Sequence, residues 1–330
     1  MRALAGGHLP VLQSGDYDQQ SLETLKAQGF PPDRPVTAIE YEDHQPPLYY
    51  LLLTPVFWTF GGSLLALRLA SLLLGAATVA CAYALARVVW GGAGGWRPLV
   101  AAGFVAFVPQ HVAILSSVNN DALAGLVLAL ILLALARYLR PAGESGAGQI
   151  GVLVGLAFLT KTTIYFSIAL AAGALLWRAR AERWPRQRLA SETLRMALPA
   201  LLLGWIWWGR NWAVYGWPDL TGLARHNAVV LGQPRTAEWL AQFGLIEVAR
   251  RFLVTTFHSW WGQFGWMGVV LDGRLYAALL AYSLALAVGG ALWLHARRRR
   301  GSEPCARRPL SGYHRRIAAL LAAVAALAAL

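Results

Sequence analysis

Cysteine is almost missing from this chain: among 330 residues there are two, Cys81 inside an apolar run and Cys305 in a basic stretch. No disulfide framework is expected from such a pair. The chain has no CxxC or HExxH spacing and no GxxxxGK[ST] loop, so neither a built-in zinc hydrolase nor an ATPase is expected. Charge is scarce as well, at 14% of residues, and lysine is the rarest cation, with only Lys26 and Lys161 beside the arginines. The first 45 residues contain no apolar core of a signal peptide.

What fills the chain is apolar. Hydrophobic residues make up 57%, beyond the share usual in soluble domains. A span needs about 20 mostly apolar residues, and the pattern predicts spans at 64–89, 98–115, 122–139, 150–159, 163–177, 194–212 and 276–295. The runs 150–159 and 163–177 are short and fit half-spans or a tight hairpin. The expected fold is an all-α polytopic transmembrane protein of about seven or eight membrane segments, with interfacial helices in its outer loops.

A net charge of +13 would point to nucleic acid in a soluble protein. Its distribution points elsewhere. If the segment before Leu64 lies outside, alternation puts 87–97, 137–149, 178–195 and 297–316 on one side, and these hold 18 of the 29 basic residues but 4 of the 16 acidic ones. That is the positive-inside bias. The arginine-rich composition also fits a GC-rich bacterial genome, and hence a multi-pass protein of a bacterial inner membrane with its working face on the periplasmic or extracellular side.

One domain is expected over 1–330. It divides into an outer loop at 1–46, an interfacial helix at 47–60, transmembrane helices over 64–212, a long outer loop at 213–274, a span at 276–295, a basic cytoplasmic loop at 296–316 and the start of a further span at 317–330. Within the long loop, Glu238 to Phe257 has helical spacing, with Trp239, Phe243, Ile246, Phe252 and Leu253 able to share a membrane-facing side. An acidic segment assigned to the outside needs a preceding helix to carry it across. The apolar run after Arg316 stops short of a full span. Both ends therefore read as those of a fragment.

The residues suited to chemistry collect at the outer ends of the spans. In "YEDHQPPLYY" two prolines end the preceding chain and favour a helix start. The run Leu48 to Phe60 is too short to cross a bilayer, so Asp43 and His44 would sit at the membrane surface. In "SSVNNDALAG" Asn119, Asn120 and Asp121 open a span, where such residues cap a helix and Asp121 also suits a ligand or base. In "FLTKTTIY" Lys161 lies between apolar stretches, and an ionisable group at such depth marks a functional site unless it snorkels. In "GRNWAVYGWPD" Arg210 and Asn211 end a tryptophan-rich span, where a guanidinium can grip a phosphate as a fork. The aromatic stretch "HSWWGQFGWM" fits either a sugar-stacking wall or a loop resting on the bilayer.

"HQPPLYY", "GLAFLTKTT", "RNWAVYG" and "WWGQFGW" follow one another in an order that resembles the polytopic GT-C class glycosyltransferases, the protein O-mannosyltransferases and lipid A sugar transferases among them. The resemblance covers most of the chain. It implies transfer of a sugar from a polyprenyl-phosphate donor to a lipid, glycan or protein acceptor on the outer face. It assigns Lys161, Arg210 and Asn211 to the donor phosphate, with His44 assisting and Tyr49 lining the donor site, and leaves Asp43 and Asp121 as candidate catalytic carboxylates. The family's usual acidic pair follows a first span that this chain does not contain, so the main base is expected upstream of Met1 and the fragment alone is expected to be inactive. The resemblance makes no cofactor certain and leaves a divalent metal open. The alternative is a transporter or flippase of a lipid-linked or small polar substrate, with Asp121, Lys161 and Arg210 lining its path.

Overall fold

A computed structural model describes residues 1–29, 31, 33–34, 42–91, 95–140, 145–265 and 267–300, together with Tyr313, Ile317 and Leu320. Most of the truncated span expected at 317–330 and most of the basic loop, Cys305 included, lie outside the described residues.

The chain folds as helices in the order α1 (Arg2–Ala5), α2 (Gln19–Ala27), α3 (Leu48–Thr59), α4 (Leu64–Trp90), α5 (Arg97–Phe107), α6 (Pro109–Leu115), α7 (Asp121–Tyr138), α8 (Ala147–Thr160), α9 (Ser167–Ala181), α10 (Arg186–Tyr215), α11 (Leu223–Val229), α12 (Thr236–Trp261) and α13 (Gly273–Arg300). Among the described residues, one short antiparallel hairpin pairs Gln263–Phe264 with Val269–Val270. The protein is an all-α polytopic membrane protein. Among the described residues five helical segments are long and apolar enough to cross a bilayer: α4, α7, Thr162–Ala181, α10 and Gly273–Leu292. Counting α5 and α6 as one bent span makes six. Adding the short apolar helix α8, which covers the short run 150–159, gives the seven segments expected from sequence, and α3 would make eight.

Differences from the expected boundaries have local causes. The run 98–115 breaks by 65° at Val108, where Pro109 opens α6; proline removes a helix donor and drives the residue before it out of the helical region. α10 runs to 30 residues, well past the apolar window, because its first turns are an arginine-rich helix outside the apolar stretch. The helix expected over 238–257 forms as α12, but Gly244 (φ 74°, ψ 164°) kinks it. Only glycine takes that conformation readily, so Trp239 and Phe243 do not share one continuous face with the residues after the kink.

The main core lies among α4, α7, α8, α9 and α10, around Ile131, Leu135, Ile150, Val154, Phe158 and Ala200. α8 presses on α10 through two glycines four residues apart. A Cβ on Gly151 would fall 2.1 Å from the Met196 carbonyl oxygen, and one on Gly155 would fall 2.7 Å from Leu203 Cβ. Small residues at that spacing let two helix backbones approach, the usual device where lipid removes any hydrophobic drive between helices.

The bundle has two chemically distinct ends. At one, Arg140 Nη2 donates to the Val88 carbonyl at 3.0 Å, and Arg178 Nη1 donates to the Tyr138 carbonyl at 3.0 Å while lying over the Tyr138 ring. Arginines there cap helix C-termini, where the free carbonyls and the dipole favour a cation. The other end carries the candidate site. Residues 12–22 fold onto it, with Leu12, Tyr17 and Leu22 forming a small second core against Val229, Val230 and Tyr215. The stretch expected to be a plain outer loop is thus partly structured.

Candidate functional site

The site end is assembled from the starts or ends of α3, α7, α8, α10 and α11. α8 stops at Lys161, whose backbone is extended (φ −163°, ψ 137°) before a short 3-10 turn at Thr162–Ile164. Three threonines flank that break, and the Thr160 hydroxyl bonds back to the Leu156 carbonyl at 2.6 Å; β-branched and hydroxyl side chains weaken helix continuation. The break sends Lys161 Nζ across to Asp121 at the start of α7, 2.6 Å from Oδ1. Asp121 is held in place in turn, its backbone N–H donating to Asn119 Oδ1 at 3.0 Å. The Lys161 side chain is 18% exposed and that of Asp121 34%. Two residues that sequence reading assigned to different roles are one ion pair.

Arg210 stands in the last turns of α10. Nη1 donates to Asn211 Oδ1 (2.9 Å) and Tyr215 OH (3.2 Å), and Nη2 donates to the Pro10 carbonyl. The guanidinium also lies over the rings of Trp207 (4.8 Å) and Tyr215 (5.2 Å). Every oxygen it meets among the described residues is neutral. A guanidinium carries five N–H donors, so these bonds leave donors and a whole positive charge to spare. Lys161, by contrast, spends its charge on Asp121.

Asn211 is fully buried and donates through Nδ2 to the Leu220 carbonyl at 3.1 Å. Its contact with Arg210 makes it a brace for the fork. Asp219 fixes the neighbouring turn by accepting the N–H groups of Ala224 (3.2 Å) and Arg225 (2.8 Å). His44 is buried against this turn: its ring is 4.5 Å from that of His226, and a Cβ on Gly222 would fall 2.8 Å from His44 Cβ and 3.3 Å from the Tyr215 ring. His44 therefore belongs to the Arg210 side of the site.

Tyr49 is fully buried, its hydroxyl 2.7 Å from that of Ser71. This places it between α3 and α4, away from any open surface. Its neighbour Tyr50, not singled out from sequence, faces a cavity of about 140 Å³ with Asp43, Glu42, Gln45, Pro47, Pro10 and Trp207 around it. Leucine at 48 and two tyrosines after it gave no signal of which ring would turn outward.

The aromatic stretch at the end of α12 builds a clasp. His258 stacks on Tyr276 at 3.6 Å, Tyr276 OH donates to the Gly262 carbonyl at 2.7 Å, and Gln263 N donates to Gln110 Oε1 at 2.9 Å. Trp266 lies outside the described residues. Among the described residues, no group of three or more His, Cys, Asp or Glu converges as a metal site would require. No step is assigned to a metal.

The helical bundle, with the Asp121–Lys161 ion pair and the Arg210 guanidinium at one end, is that of a polytopic membrane protein. Residues 44–208 match the family model described as dolichyl-phosphate-mannose-protein mannosyltransferase, and the chain belongs to that family. It is a membrane glycosyltransferase of mannosyltransferase-like kind. The match begins at His44 and takes in Tyr49, Asp121 and Lys161, ending just before Arg210. No curated protein and no solved structure matches the chain.

Proposed function

We propose that the protein transfers a sugar from a polyprenyl phosphate to a hydroxyl-bearing acceptor at the outer face of a membrane. The observation that carries this reading is the Arg210 guanidinium, oriented by Asn211, Tyr215 and Pro10 yet facing no carboxylate among the described residues. A lipid-linked donor brings its phosphate to the headgroup level, and an oriented cation at a span's end is the group that would meet it.

In the proposed reaction the acceptor oxygen bonds to the anomeric carbon while the bond from that carbon to the phosphate oxygen breaks. The electron pair stays on the phosphate, where Arg210 stabilises it. The acceptor proton passes to a carboxylate. Asp43, on the wall of the cavity that Trp207 and Pro10 also line, is the carboxylate proposed to orient the hydroxyl and receive that proton. His44 supports the turn behind Arg210. The Asp121–Lys161 pair holds α7 and α8 in register beside the cavity, with Lys161 a secondary phosphate contact.

The outward placement of this end is supported by the arginine-rich loops at the other end, which the positive-inside rule keeps in the cytoplasm. A full-length protein containing this chain, in proteoliposomes with a radiolabelled polyprenyl-phosphate mannose and a glycan or peptide acceptor, is expected to yield labelled acceptor and free polyprenyl phosphate. Movement of intact donor across the bilayer without cleavage would replace the transferase by a flippase.

A further inference from the structure

At the arginine-rich end, the turn from α9 into α10 carries more cation than it neutralises. Residues 178–188 hold five arginines, at 178, 180, 183, 186 and 188, and one carboxylate, Glu182. Glu182 is already occupied: it accepts from Arg178 Nε at 2.8 Å, Trp184 Nε1 at 2.7 Å and Arg188 Nη2 at 3.4 Å. Arg180, Arg183 and Arg186 are exposed and meet no carboxylate among the described residues. Arg183 is also held against its backbone preference. It follows the C-terminus of α9 at φ 51°, while the Trp184 N–H closes back on the Ala179 carbonyl at 2.9 Å. Glycine is the usual residue at such a helix end, and a side chain there costs stability. An outlier of this kind points to a use for the side chain that it keeps in place.

Beside these charges an open groove of about 610 Å³ runs along α9, lined among the described residues by Gly173, Leu176, Trp177, Arg180 and Ala181. Their spacing puts them on one face of the helix, about 10 Å from Gly173 to Arg180. Leu176 and Trp177 are exposed, and a Cβ on Gly173 would meet nothing within 4 Å. We propose that groove and turn together bind one anionic phospholipid of the adjacent leaflet, its phosphate on Arg180 and Arg183 and an acyl chain along Gly173, Leu176 and Trp177. Charge decides the occupant. A zwitterionic headgroup offers a phosphate but adds an ammonium that the guanidiniums repel, whereas an anionic one leaves its whole charge to their forked donors. Trp177, one turn from Arg180, suits the boundary between headgroup and chain. Basic sites beside spans hold such headgroups. The positive-inside bias explains an excess of arginine, but not unpaired guanidiniums at the head of an apolar groove. The turn lies at the opposite end of the bundle from Arg210, so the site is separate from the candidate active site and independent of the transferase reading.

Native mass spectrometry tests the site on a full-length protein containing this chain, released from micelles with equal amounts of phosphatidylglycerol and phosphatidylcholine of the same acyl chains. The unmodified protein is expected to retain phosphatidylglycerol several-fold over phosphatidylcholine, and Arg180→Ala should lower that ratio several-fold. Arg183→Gly should lower it too while raising the unfolding temperature, because glycine accepts the left-handed position. An arginine with a merely structural role would not lose lipid and gain stability together. Gly173→Leu, whose side chain enters the groove, should lower retention of both lipids. Arg97→Ala, which removes the same charge from α5, should leave the ratio unchanged. Equal retention of the two lipids by the unmodified protein would overturn the proposal, as would a loss in Arg97→Ala as large as that in Arg180→Ala. A dimer that replaces the lipid adducts and disappears in Gly173→Leu would give the groove to a second copy of this chain and overturn it as well.

Discussion

Lys161 Nζ lies 2.6 Å from Asp121 Oδ1 across a separation of 40 residues, so the break at the end of α8 is tied to the first turn of α7. Hydrogen bonds to charged groups contribute about 1.5–3 kcal/mol when well formed. Lys161→Ala and Asp121→Asn should each lower thermal stability, and the double variant should cost clearly less than their sum. Thermal unfolding of the four proteins in detergent gives the coupling. Strict additivity would mean that the pair does not hold the two helices.

The α8–α10 contact makes a sharper forecast. Gly155→Leu has to displace Leu203 and the Pro199 carbonyl, and overfilling of a tight contact costs about 1–3 kcal/mol or more. Gly103, on α5, has nothing within 4 Å of an added Cβ, and Gly103→Leu should be tolerated. Comparative yield and unfolding temperature in the same detergent distinguish the two.

Tyr49 and Ser71 give a third test. Tyr49→Phe and Ser71→Ala each remove one partner of a buried hydroxyl pair, at about 1 kcal/mol apiece. If Tyr49 is a strut between α3 and α4, both variants lose stability by similar amounts and keep the same donor affinity. A selective loss of donor affinity in Tyr49→Phe would support the lining role expected from sequence.

Glu247 on α12 sets a pH dependence. Side-chain hydrogen bonds from Arg250 and then Arg251 hold its carboxyl down from 4.5 to about 2. A depressed carboxylate stabilises the fold above its unfolded pKa, and that contribution is lost as pH falls through the folded value. Hydrogen exchange around Glu247 to Arg251, corrected for intrinsic rates, should therefore be flat above about pH 5 and rise between 4.5 and about 2. Glu247→Gln should remove the rise.

Much of the site is legible in the sequence because the chain is so apolar: Asp121, Lys161 and Arg210 stand out as polar residues at the ends of hydrophobic runs. What the sequence hides is which of them meet. Spacing along the chain does not reveal that the helix break at Lys161 faces Asp121, or that Arg210 takes a backbone carbonyl from Pro10, 200 residues away. Tyr50 and Trp207 are hidden for a different reason, since aromatic residues at span ends are expected on interfacial grounds alone. The kink in α12 depends on one glycine whose conformation only the fold decides, and the small core of Leu12, Tyr17 and Leu22 forms with Val229 and Val230 from the far side of the chain. The apolar runs themselves identify the spans well, because backbone satisfaction in lipid leaves helices as the available solution.

The central claim is that Arg210 receives a lipid-linked phosphate. Its most direct measurement is the affinity of the full chain for a short-chain polyprenyl phosphate, compared among unmodified protein, Arg210→Lys and Arg210→Ala at fixed ionic strength. The account predicts a loss of about tenfold or more for Arg210→Ala, equivalent to about 1.4 kcal/mol, and an intermediate loss for Arg210→Lys, which keeps the charge but not the fork. Undiminished affinity in a folded Arg210→Ala protein would contradict it.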